Sequence, residues 1–234
     1  MRKRVIDLHT HILPGIDDGS PNAGTSMRML RQMAVQGTQI LCASPHYYAD
    51  EQSIHEFCEK RDVAFAEFRQ AGLGEYEDQP IVLPAAEVAF FPGISEQKEL
   101  ERLCIKGTHT LLLEMPFCEW NDFQIEEVTS LSLDLGYQIV LVHPERFLFS
   151  KNNRRLLERL QELPIGIQIN AGSLLRWQSR KQALRLLQEA ACPLLGSDAH
   201  NMTTRPPNLG EGRSVIERKL GTAFWQRMQE SAAR

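Results

Sequence analysis

The chain has 234 residues, 42% of them hydrophobic, and a formal net charge of −4. That length supplies one sizeable hydrophobic core, and the balanced charge excludes a disordered or fibrous polymer. No apolar run reaches the roughly 18 residues that span a bilayer; Met1-Arg2-Lys3-Arg4-Val5 leads into a strand pattern rather than a signal-peptide core, so no membrane insertion and a cytoplasmic location are expected.

Hydrophobic periodicity, taken in chain order, starts with a strand at 4–8 and a helix at 22–36, for which Ser20-Pro21 offers an N-cap and a first-turn proline. A strand at 39–43 and a helix at 53–70 follow, with Gly37 and Gly72 at the C-terminal caps. Residues 72–80 read as a surface loop, and a strand at 81–83 continues toward 87. Next come a helix at 96–103, a strand at 110–114, a helix at 124–135 closed by Gly136, a strand at 138–142 and a helix at 152–161. Strands at 166–170 and 193–197 flank a helix at 178–190, and a helical tail follows Leu209. Strand and helix alternate without a linker or repeat, so one α/β domain over residues 1–234 with a largely parallel sheet is expected. Both a barrel and an open doubly wound sheet satisfy this pattern.

The five cysteines (Cys42, Cys58, Cys104, Cys118, Cys192) are odd in number and never form a C-x-x-C pair, which points to reduced, buried thiols rather than disulfides or a thiolate zinc site. Without a dense Lys/Arg run, nucleic-acid binding is not expected.

The histidines and acids fall at strand ends. The first strand runs into Asp7-Leu8-His9-Thr10-His11, the second into Ser44-Pro45-His46, the third into Ala86-Glu87 and the fourth into Glu114. The fifth runs into His143-Pro144-Glu145-Arg146 and the seventh into Ser197-Asp198-Ala199-His200. Five of the seven histidines therefore lie at the ends of four predicted strands, whereas His55 and His109 read as ordinary surface or packing residues. Residues two apart on a strand face one way, so His9 and His11 can address one ion, and a closed parallel barrel gathers its C-terminal strand ends on one rim. Imidazole and carboxylate without thiolate suit Mn²⁺, Fe or Zn²⁺. Nine candidates (His9, His11, Asp18, His46, Glu87, Glu114, His143, Asp198, His200) exceed one ion's needs and point to a centre of two or three ions.

Taken together, Asp7-Leu8-His9-Thr10-His11-Ile12-Leu13-Pro14-Gly15-Ile16-Asp17-Asp18-Gly19, Ser44-Pro45-His46, Glu87, Glu114, His143-Pro144-Glu145-Arg146 and Ser197-Asp198-Ala199-His200 resemble the polymerase-and-histidinol-phosphatase (PHP) superfamily. The Asp17-Asp18-Gly19 turn, Arg146 and Arg205-Pro206-Pro207 look like its bacterial capsule-biosynthesis tyrosine phosphatase branch, the resemblance running from about residue 5 to 210. It implies a distorted (β/α)₇ TIM-like barrel with a trinuclear site at the C-terminal ends of the strands. By the same resemblance, His9, His11, Glu87 and Asp198 hold one ion, Glu87, Glu114 and His143 a second, and Asp18, His46 and His200 a third, most often Mn²⁺. The partner it implies is the phosphotyrosine tail of a bacterial tyrosine kinase controlling exopolysaccharide export.

Clustered ions lower the pKa of bound water and neutralise phosphoryl charge, so a metal-activated hydroxide attacking a phosphomonoester without a covalent enzyme intermediate is expected. Arg146 and Arg205 follow His143 and His200 closely enough to bind the phosphate from the rim. Tyrosine, with a pKa of about 10, leaves with less help from an acid than an alkyl alcohol does. Asp7 and Asp17 are assigned to orienting ligand imidazoles. None of the five cysteines is followed six positions later by arginine, and there is neither a Gly-x-Ser-x-Gly elbow nor a phosphate-binding P-loop. A histidinol-phosphate type of small-molecule phosphatase, a PHP nuclease and a non-catalytic module are the alternatives.

Overall fold

A computed structural model describes residues 5–74 and 78–233. Arg4, where the first predicted strand begins, and residues 75–77 of the predicted loop lie outside the described residues.

The apolar runs become strands that pair only in parallel. β1 (Ile6–Thr10), β2 (Ile40–Ala43) and β4 (Ile81–Pro84) form one sheet in the order β1-β2-β4. A second sheet has the order β3-β5-β6-β7-β8-β9, built from β3 (His46–Tyr47), β5 (Glu87–Ala89), β6 (Thr110–Glu114), β7 (Gln138–Val142), β8 (Gly166–Asn170) and β9 (Cys192–Gly196). The sheets are continuous in sequence at two places, where β2 runs into β3 and β4 into β5. They also meet at the other edge: Thr10 bridges Ala199 in parallel, His11 N donates to Ala199 O (2.9 Å), and Asp198 N donates to His9 O (2.9 Å).

Alternation along the strands divides the core. Leu111, Leu113, Ile139, Leu141, Ile167 and Ile169 pack toward the helices, whereas Leu112, Val140, Val142 and Leu194 join an inner cluster with Ile6 and Leu8. The helices are α1 (Ala23–Val35), α2 (Ile54–Gln70), α3 (Asp122–Thr129), α4 (Lys151–Leu160), α5 (Ala171–Leu175), α6 (Trp177–Glu189), α7 (Leu209–Leu220) and α8 (Thr222–Ala232). Among the described residues no helix is long and apolar enough to cross a membrane.

Four expectations change. Asn22, not Ser20, caps α1, accepting from Thr25 N at 2.9 Å; Ser20 instead donates to the Asn22 carbonyl and receives Ser26 Oγ, so it ties the approach to the helix. The helix predicted at 96–103 is two 3-10 turns, Ile94–Glu96 and Leu100–Leu103. There the Glu127 carboxylate accepts from both the backbone and hydroxyl of Ser95, and Gln97 is extended, so a tertiary contact overrides local helix preference. The helix predicted at 124–135 changes after Thr129 to a wider π turn over Ser130–Asp134, which buries Leu131. Finally, none of the five cysteines forms a disulfide and Cys42, Cys58 and Cys104 are buried, but Cys118 is exposed and Cys192 half-buried. Cys118 lies in a connection between β6 and α3 rather than in an apolar element.

Candidate metal centre

All nine predicted ligands converge where the strands end. Glu87 opens β5 and is fully buried; its Oε2 lies 3.1 Å from His9 Nε2, 3.1 Å from His11 Nε2 and 3.0 Å from His46 Nδ1. Its other oxygen is 2.7 Å from His143 Nε2, which stands 3.8 Å from Glu114 Oε1. His9 Nε2 and His11 Nε2 are themselves 3.1 Å apart and face Asp198 Oδ1 at 3.8 and 3.5 Å. On the outer side, Asp18 Oδ1 is 3.3 Å from His200 Nε2 and 3.5 Å from His46 Nε2.

These separations fit ions. Ligands about 2.1 Å from a tetrahedral centre stand about 3.4 Å from one another, the range observed here. Ligand atoms come within mutual reach in four overlapping groups: His9, His11 and Asp198; His9, Glu87 and His143; His46, Glu87 and Glu114; and His11, Asp18, His46 and His200. Within the cluster, Glu87 Oε2, His46 Nδ1 and His200 Nε2 are buried without an aligned hydrogen bond. Such orphaned donors and acceptors are costly unless something else satisfies them.

The backbone bends to make this arrangement. His143 and Asp198 occupy the left-handed region at φ 33° and 52°, the non-glycine residues that do so among those described. Strain at two proposed ligands is the pattern expected where surrounding structure fixes a functional geometry.

Electrostatics follow from the crowding. Burial alone would raise Glu87, but the charge of the crowding imidazoles, His9 foremost, and the hydrogen bond with His143 hold it well below the usual carboxylate range. Burial pushes Glu114 up to about 7, with the Glu87 charge adding to it. Burial also lowers His46, His143 and His200, favouring the neutral imidazole that a metal requires.

A second layer of groups orients the proposed ligands. Asp17 Oδ2 is 2.7 Å from His11 Nδ1 and also accepts from His46 N, while its Oδ1 accepts from Gly19 N at 2.9 Å. Although burial opposes it, the hydrogen bond and charge of His11 hold Asp17 down to about 2. This is the orienting role expected of Asp17. Asp7 differs: its Oδ1 accepts from the backbone of His9 and Ser197, not from an imidazole, so it locks β1 to β9 instead. Burial raises it to about 6.

Two contributors went unpredicted, Gln168 and Asn170. Gln168 Oε1 is 3.0 Å from His9 Nδ1, Gln168 Nε2 donates to Asn170 Oδ1 at 2.9 Å, and Asn170 Nδ2 donates to Asp198 Oδ2 at 2.6 Å. They lie on β8, the strand to which no ligand was assigned, and alternate with Ile167 and Ile169. Two amides at period two in an otherwise apolar buried strand were the available signal. Gln168→Leu leaves His9 Nδ1 without its partner and is expected to weaken metal affinity about 10- to 100-fold. Calorimetric titration of the stripped protein with Mn²⁺ measures it, and wild-type affinity would disprove the relay.

Arg205 Nη2 contacts both oxygens of Asp198 at 2.8 and 2.9 Å, with Nη1 3.5 Å from Asp18 Oδ2; Arg146 Nη1 lies 4.0 Å from Asp198 Oδ2. Both guanidinium groups are partly exposed beside the cluster. His55 is exposed near Glu59, and His109 packs on Tyr137, so neither joins it.

Comparison with known proteins places this geometry. Residues 5–234 match the family model described as capsular polysaccharide synthesis, CpsB/CapC. The tyrosine-protein phosphatase YwqE of Bacillus subtilis is 30% identical, the alignment covering 97% of this chain and 90% of that protein. The tyrosine-protein phosphatase CpsB of a serotype V Streptococcus agalactiae is 26% identical over 93% of this chain and 91% of its own length. A crystal structure from work on B. subtilis YwqE and Streptococcus pneumoniae CpsB, described as unique metal-dependent tyrosine phosphatases, superposes with a TM-score of 0.81 at 28% identity, covering 98% of this chain and 93% of that one. The phosphotriesterase homology protein of Escherichia coli shares the α/β fold with parallel strands, with a TM-score of 0.58 at 12% identity over 100% of this chain and 98% of that one.

Proposed function

This chain belongs to the CpsB/CapC family of capsular polysaccharide synthesis, and from that premise we propose that it is a metal-dependent protein-tyrosine phosphatase. The observation that carries this reading is the buried Glu87 carboxylate, within 3.1 Å of imidazole nitrogens from His9, His11, His46 and His143. A single anionic group so surrounded suits a bridge between ions. His9, His11 and Asp198 complete one site with Glu87, Glu114 and His143 a second, and Asp18, His46 and His200 a third. Mn²⁺ is the proposed occupant, with Fe and Zn²⁺ compatible with the same donors.

Divalent ions held by these residues would supply an activated water and neutralise charge on the phosphoryl oxygens. The chain's own residues do the rest. Arg146 and Arg205 turn from Asp198 to the phosphate monoester, where planar guanidinium groups pair with two oxygens at once. Asp17 and Gln168 hold His11 and His9 in single ring orientations. The parallel contact between β1 and β9 supports closure of the two sheets into a distorted seven-stranded barrel, formed by one domain spanning residues 1–234. The substrate proposed is the phosphotyrosine tail of a tyrosine kinase in capsule or exopolysaccharide synthesis, met in the cytoplasm.

The test is to strip the protein with a chelator and assay it with a phosphotyrosyl peptide and with histidinol phosphate, before and after Mn²⁺ is restored. Activity is expected to vanish and return in step with metal content, and to favour the peptide. Full activity in metal-free protein would overturn the metal reading. A preference for histidinol phosphate would overturn the substrate.

A further inference from the structure

Two phenylalanines stand in solvent beside the centre. Phe117 is 75% exposed and Phe149 55% exposed, yet their rings meet at 5.4 Å between centroids. The pair is not isolated. Phe117 packs edge-on against Phe147 at 5.8 Å, Phe147 is buried, and the Phe147 ring lies 5.7 Å from that of His143. A run of rings thus leads from a proposed metal ligand outward to solvent. Arg146, proposed to bind phosphate, belongs to the same turn that carries Phe147 and Phe149.

The two loops that bear these rings are tied together by a buried amide. Asn153, fully buried in α4, accepts from Trp120 N at 2.8 Å and donates to Cys118 O at 3.0 Å and Phe147 O at 2.8 Å. Asn152 adds a donor to Trp120 O at 2.7 Å. None of these bonds touches a proposed ligand, so they fix the loops and not the ions. Large aromatic side chains are normally buried, and a contiguous exposed apolar patch marks a contact surface.

Resting on the phosphatase reading above, we infer that Phe117 and Phe149 form an aryl-binding wall that receives the phenyl ring of phosphotyrosine. Phe117 and Phe149 lie three and six residues beyond Glu114 and His143, in the loops that leave the C-terminal ends of β6 and β7, so an aryl ester with its phosphoryl group at the centre would meet the pair over that rim. Offset or edge-on contact with such rings favours an aryl over an alkyl ester. Continuity with the metal centre and the neighbouring positive charge of Arg146 select an aryl phosphate as the occupant.

The experiment is calorimetric titration of the metal-loaded chain with phenylphosphonate and methylphosphonate, neither of which is hydrolysed. Wild-type protein is expected to prefer the phenyl compound by about tenfold or more, and Phe117→Ala/Phe149→Ala is expected to lose that preference while keeping its methylphosphonate affinity. Phe117→Tyr/Phe149→Tyr should retain it. Equal binding of the two phosphonates by wild type, or an unchanged preference in the alanine variant, overturns the wall. Sedimentation of the same proteins tests the other occupant: an oligomer lost in the alanine variant with the aryl preference intact would assign the pair to contact between copies and also overturn it. If the preference disappears as expected but wild type leaves phosphotyrosyl peptide uncleaved, the aryl wall stands and the phosphatase reading falls.

Discussion

Glu87→Gln is expected to lower kcat/KM by at least about 10³-fold and to reduce the metal content of the purified protein. The substitution keeps shape and burial but removes the one anionic charge that four imidazoles share. It also turns one oxygen position into an NH₂ donor, aimed at nitrogens that must present lone pairs to an ion. A thousandfold loss corresponds to about 4 kcal/mol of transition-state stabilisation, a fair share for an ion's electrostatic role. Elemental analysis and steady-state kinetics on one preparation check both halves. Wild-type metal content together with a wild-type rate in the Glu87→Gln variant would remove Glu87 from the centre altogether.

Gly19→Ala is expected to be almost as damaging, for a purely steric reason. A Cβ at this position would collide with the carbonyl oxygen of His11 and lie 2.5 Å from its Cβ and 2.8 Å from Asp17 Oδ1. Two of those atoms belong to the backbone and Cβ of His11, a proposed ligand, so no rotamer change relieves the contact. The turn is already closed by Ser20 N donating to His11 O (2.9 Å) and Gly15 N donating to Ser20 O (2.8 Å). Opening it moves Asp17 off His11 and Asp18 away from His46 and His200. Overpacking of this kind costs about 1–3 kcal/mol in stability, and displacement of catalytic groups by about 1 Å costs on the order of 10²-fold in rate. Thermal melts and kcat/KM read the two effects separately. Gly37→Ala is the control, since Gly37 has a φ of +88° but nothing within 4 Å of the added atom. It should lose some stability and no activity. Wild-type melting and turnover in Gly19→Ala would overturn this steric account of the turn.

The strands were legible wherever a continuous apolar run is bounded by turn residues. Residues 110–114, 138–142 and 166–170 match β6, β7 and β8 at both ends. β3 was not, because two residues carry no periodicity; it exists through its pairing of His46 with Glu87. The split at 94–103 was hidden for a related reason, since the Glu127 carboxylate that captures Ser95 is 32 residues away. For the site, residue type and strand-end position were enough to find His9, His11, His46, Glu87, Glu114, His143, Asp198 and His200 in one cluster. Gln168 and Asn170 escaped because amides are not expected as ligands; their work is with His9 and Asp198, which only the folded chain brings near. The exposed pair Phe117 and Phe149 is equally invisible in sequence, since a lone phenylalanine defaults to the core.

The joining of the first strand to the last bears on biosynthesis. His9 and His11 emerge early from the ribosome, whereas Asp198 and His200 emerge late, and two of the four ligand groups need residues from both ends. A nascent chain that has not reached Asp198 lacks both sets, so these candidate sites are complete only once β9 and the residues after it have been made. An ion held by residues of β1 and of the turn after β9 would fasten the same seam that Asp7 aligns through the backbone of His9 and Ser197.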